Sequence, residues 1–308
     1  MVANLFRKTN LTSGFLSAIL IFIVLFFYHA DLVDFSSLIH KILTVLGQTL
    51  LLMTLMGILL LIKRIDRYFN LPPFIFLTTP LVLFLVPQNA IQIKGLVLSI
   101  FLALAFQEFV LMEQRSQILK PLLNSALYFT LIVFIEPQLY PLFLILMGTL
   151  ILKKQVNLKA FIAVITLILT LYFLFTTLHF FWDFEKLQFW RSAQIESRSF
   201  TSVEGLIFSV FGLFVAAVYF FSKASQSTLS SKLKNLFHLV VIGLGLFISL
   251  TLQEQDLSFY EIILFSIIYL SALSLNNLSN LKVNLVLLLF ILLKIMGLFF
   301  TIGAYTSS

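Results

Sequence analysis

The amino-acid sequence predicts an all-α, polytopic transmembrane helix bundle of about ten or eleven spans, and three observations lead there. The first is composition. Of the 308 residues, 60% are hydrophobic and only 11% are charged, whereas an average soluble chain carries about 25% charged residues, so a soluble globule is excluded. The second is the continuity of the apolar runs. A helix needs roughly 20 apolar residues to cross the hydrocarbon core, and runs such as 281–293 lack the period-2 alternation of a barrel strand. The third is the placement of lysine and arginine at alternate ends of successive runs.

Taken in order, the apolar runs lie near 11–29, 38–62, 69–86, 95–112, 121–136, 138–152, 160–181, 203–222, 236–252, 259–275 and 283–303. The first follows Arg7 and Lys8 and ends at Phe26-Phe27-Tyr28-His29, with no small-residue cleavage site, and reads as a retained span. In the third, Pro80 after Thr78-Thr79 is expected to kink the helix. Between the fifth and sixth, Glu136-Pro137-Gln138 reads either as a tight turn or as a break within a re-entrant hairpin, which leaves ten or eleven spans. The serine-rich stretch 222–231 is a short polar loop, and no linker or repeat divides the chain. Residues 1–308 are therefore expected to form one integral membrane domain.

With the N-terminus in the cytoplasm, the inner segments hold Arg7, Lys8, Lys63, Arg64, Arg67, Arg115, Lys120, Lys153, Lys154, Lys159, Lys223, Lys232, Lys234 and Lys282. Outside lie Lys41, Lys94, Lys186, Arg191 and Arg198, with Lys294 inside the last span. This asymmetry predicts the N-in orientation. The net charge of +7 is spread over short inner loops, where insertion and anionic headgroups account for it. Without a basic domain or stacking platform, nucleic acid is not an expected partner. The lack of cysteine excludes thiol chemistry and thiolate metal sites.

Most carboxylates fall on the outer side, which directs attention there for chemistry. Asp31 and Asp34 end the first span about one helical turn apart, where they are candidate catalytic residues acting as metal ligand or base; a solvated loop is the plainer reading. The longest outer segment contains Trp182, Trp190, Arg191 and Arg198. Its aromatics and charges suit an interfacial anchor, whereas Arg191 and Arg198 are also candidates for bidentate phosphate binding. Glu108 and Lys294 are the charges within spans; they form a structural pair or snorkel, or mark a polar path. The histidines His29, His40 and His179 fall toward the outer side and His238 toward the inner, some 30 Å apart across the core, which argues against a shared four-histidine iron site. No metal site is predicted, and no phosphate loop, HExxH or GxSxG motif identifies a cofactor or reaction.

The opening Met1-Val2-Ala3-Asn4-Leu5-Phe6-Arg7-Lys8-Thr9-Asn10 and the middle Leu102-Ala103-Leu104-Ala105-Phe106, Arg115-Ser116-Gln117, Lys120 and Asn124-Ser125-Ala126-Leu127-Tyr128 carry a family resemblance. Over about the first half, the chain resembles an uncharacterised family, a domain of unknown function, of multi-pass inner-membrane proteins of Bacteroidota. The resemblance implies a location in the bacterial inner membrane and transfers no catalytic residue. Together with the absence of a reaction centre, this leads to the expectation of an accessory or scaffold component in envelope assembly. Its expected partners are the lipid bilayer and other envelope membrane proteins or lipid-linked glycans. Two alternatives stand beside it: a glycosyltransferase acting on lipid-linked sugars at the outer face through Asp31 or Asp34, and a small-molecule or lipid transporter using Glu108 and Lys294.

Overall fold

A computed structural model describes residues 6, 11–28, 35–65, 74–86, 91–114, 118–152, 158–182, 208, 210–215, 217, 237–245, 258–276, 282–284, 288 and 292. The main helices are α1 (Leu11–Tyr28), α2 (Phe35–Ile65), α3 (Ile75–Leu85), α4 (Ile93–Gln114), α5 (Leu119–Ile135), α6 (Phe143–Leu152), α7 (Leu158–Trp182) and α8 (Ser258–Asn276). A 3-10 turn, Pro137–Leu142, joins α5 to α6. No strand occurs among the described residues, and the fold is the all-α bundle that the apolar runs predict. Among the described residues, three stretches are long and apolar enough to cross a membrane, Leu38–Ile62, Ile93–Met112 and Leu158–Thr177.

Proline punctuates these helices in two ways. The residue before a proline is driven out of the helical region by the ring. Accordingly Val86, before Pro87, ends α3 at φ −64° and ψ 142°, and Glu136, before Pro137, ends α5 at φ −136° and ψ 91°. Inside helices proline is accommodated differently. Pro121 sits in the first turn of α5, where its missing N–H removes no intrahelical bond. Pro80 lies within α3, and the helix runs on through it to Leu85. Beside it Thr79 Oγ1 donates to the Ile75 carbonyl at 2.9 Å and Thr78 Oγ1 to the Phe74 carbonyl at 3.0 Å. These hydroxyls thereby satisfy themselves against the backbone of an otherwise apolar helix.

α4 is the centre of the packing, with α5, α2 and α8 against it. Small residues lie where α4 and α5 approach: Ala105 and Ala126 are buried, and Ser125 Oγ donates to the Ala105 carbonyl at 3.4 Å. Elsewhere Ser17 of α1 reaches Met56 Sδ of α2 at 3.8 Å, and an added Cβ at Gly14 would stand 3.5 Å from the Phe76 ring of α3. The segment around 210–215 comes closest to α8, because a Cβ on Gly212 would lie 2.8 Å from Ile267 Cδ1. α7 differs from the rest, touching chiefly α5, with Phe175 stacked on Phe134 at 3.9 Å between ring centres.

Neighbouring helices alternate in direction, so one end of the bundle gathers the start of α2 and α4 and the end of α5, and the other gathers the end of α4 and the start of α5. The first is marked by Lys41, Lys94 and Glu136, and the second by Glu108 and Asn124.

Candidate functional site

Polar groups are scarce in this core, and three places among the described residues bring charged, amide or imidazole side chains into contact with another element. At the first end, Lys94 in the opening turn of α4 forms an ion pair with Glu136 at 2.6 Å. The Glu136 side chain is 6% exposed and that of Lys94 40%. Glu136 is buried because proline ends α5 there and folds the chain back into the 3-10 turn. A carboxylate so placed needs a charged partner, and the ammonium supplies it while its own stem stays partly in solvent. On the adjoining helix, Gln48 Nε2 donates to the Ile91 carbonyl at 2.8 Å, just before α4 begins. Lys41 is buried one and a half to two turns nearer the start of α2 and places its ammonium 4.3 Å from the centre of the Phe26 ring.

Toward the other end, Glu108 Oε1 accepts a hydrogen bond from Asn124 Nδ2 at 2.9 Å. Tyr128, one turn along α5, lies within electrostatic reach of Glu108 and stacks on Phe101 with ring centres 6.4 Å apart. Glu108 and Asn124 are half-buried. Glu108 stands about 21 Å along α4 from Lys94 and about 9 Å from the helix end, at the 1.5 Å rise of an α-helix. It is therefore within the apolar span Ile93–Met112.

The third place is an aromatic nest around His238. Its ring lies 4.4 Å from Phe106, 4.4 Å from Tyr269, 5.4 Å from Phe265 and 5.5 Å from Phe237, centre to centre. Nδ1 is 3.0 Å from Ser266 Oγ, and Nε2 is buried without a hydrogen-bond partner. The nest rests on Phe106, which is two residues from Glu108 and so about 200° around the helix. Accordingly His238 and Glu108 serve opposite faces of α4.

Of the residues singled out in the sequence, Glu108 is placed by the structure and paired with Asn124. Asp31, Asp34, Arg191, Arg198 and Lys294 lie outside the described residues. No group of three or more potential metal ligands occurs among the described residues. Sequence reading missed the Lys94–Glu136 pair. Its signal was available as one acid and one base at the ends of consecutive spans, on the side to which both ends return. Comparison with protein-family models, with curated proteins and with solved structures finds no match to this chain.

Proposed function

We propose that this chain is a multi-pass protein of a bacterial inner membrane, with its N-terminus in the cytoplasm, that serves as an accessory or scaffold component in envelope assembly. Membership of the Bacteroidota family of inner-membrane proteins is part of the same proposal. The observation that carries the reading is the contrast between α7 and the rest. The Ile93–Met112 span is 61% buried, whereas the Leu158–Thr177 span is 11% buried. Its outward side holds Phe173, Leu169, Ile162 and Leu174, all at least half exposed. Its hydroxyls are turned back on the helix, with Thr170, Thr176 and Thr177 each donating to the carbonyl four residues earlier. Such a side is dry and apolar, suited to lipid or to another helix. Meanwhile the polar groups described above are largely paired with one another, as expected of a body whose task is to hold shape.

Photo-crosslinking in native membranes tests this. A photoreactive residue at Leu169 or Phe173, about one turn apart, is expected to capture the same envelope protein. One at Val164, which is fully buried, should capture none. Adducts to lipid alone at both exposed positions would sink the scaffold reading.

A further inference from the structure

We draw no further inference here: the strongest candidate, the buried side-chain cluster between α4, α8 and the segment 237–245 in which His238 Nδ1 meets Ser266 Oγ at 3.0 Å and Nε2 stands without a hydrogen-bond partner, belongs to the site already described and, with His238 and Ser266 both 0% exposed, offers nothing that a substrate or ligand could reach.

Discussion

Lys94→Met leaves the buried Glu136 carboxylate without its ammonium, and charged hydrogen bonds of this kind contribute about 1.5–3 kcal/mol. The single variant is therefore expected to lose roughly that much stability, read as a lower midpoint of thermal unfolding in detergent. Lys94→Met with Glu136→Leu removes both charges and should recover most of the loss, since an apolar replacement of both partners is often nearly neutral. Equal midpoints for the single and double variants would show that the pair is not coupled. A second residue-scale expectation concerns His238, whose Nε2 has no partner in its ring of Phe106, Phe237, Phe265 and Tyr269. His238→Phe fills the same nest without an unpaired nitrogen and should leave stability unchanged or higher. His238→Ala opens a cavity and should cost about 3 kcal/mol or more. If His238→Phe unfolds the protein as readily as His238→Ala, the bond to Ser266 outweighs the packing. The role of this histidine was not legible in the sequence. Its position near a span start is visible there, but Phe265 and Tyr269, which close the nest, are supplied by a helix some thirty residues later.

Helix ends were the most legible elements, because they follow local rules. α1 ends at Tyr28 and α5 at Ile135, each within a residue of the run read from the sequence. The Glu136-Pro137-Gln138 stretch shows where local rules stop. Proline dictates that α5 must end before the 3-10 turn over Pro137–Leu142, yet the partner that Glu136 meets there, Lys94 of the preceding helix, is set by packing between elements. Contacts between elements are the least legible level, and Gly212 provides a direct measurement. Its missing Cβ would stand 2.8 Å from Ile267 Cδ1, the movable end of a side chain. Gly212→Ala should therefore cost no more than about 1 kcal/mol, and Gly212→Leu about 1–3 kcal/mol or more by forcing the segment off α8. Thermal unfolding ranks the two, and an Ile267→Val background should relieve the alanine variant. A Gly212→Leu protein as stable as the parent would mean that this contact does not hold the segment to α8.

At the scale of the whole molecule, the positive-inside asymmetry leads to a prediction that can be checked without purification. For eleven spans the N-terminus is inside and the C-terminus outside, so a reporter active only in the periplasm should work when fused after Ser308. A reporter active only in the cytoplasm would instead require ten spans. The composition made the helical class legible, because only helices or closed barrels satisfy the backbone in lipid. Which helix sits at the centre was not, since the apolar stretch of α4 is no more apolar than that of α2. That place bears on how the chain enters the membrane. The charge pair joining the start of α4 to the end of α5 closes a hairpin, and at about 5–20 residues per second Glu136 leaves the ribosome a few seconds after Lys94. Until then Lys94 has water or headgroups as its surroundings, and α4 is held in place without its closest neighbour. In the multi-pass topology proposed above, the two helices thus have reason to wait for each other and cross as one unit, with the acid that arrives last acting as the latch that ends the step.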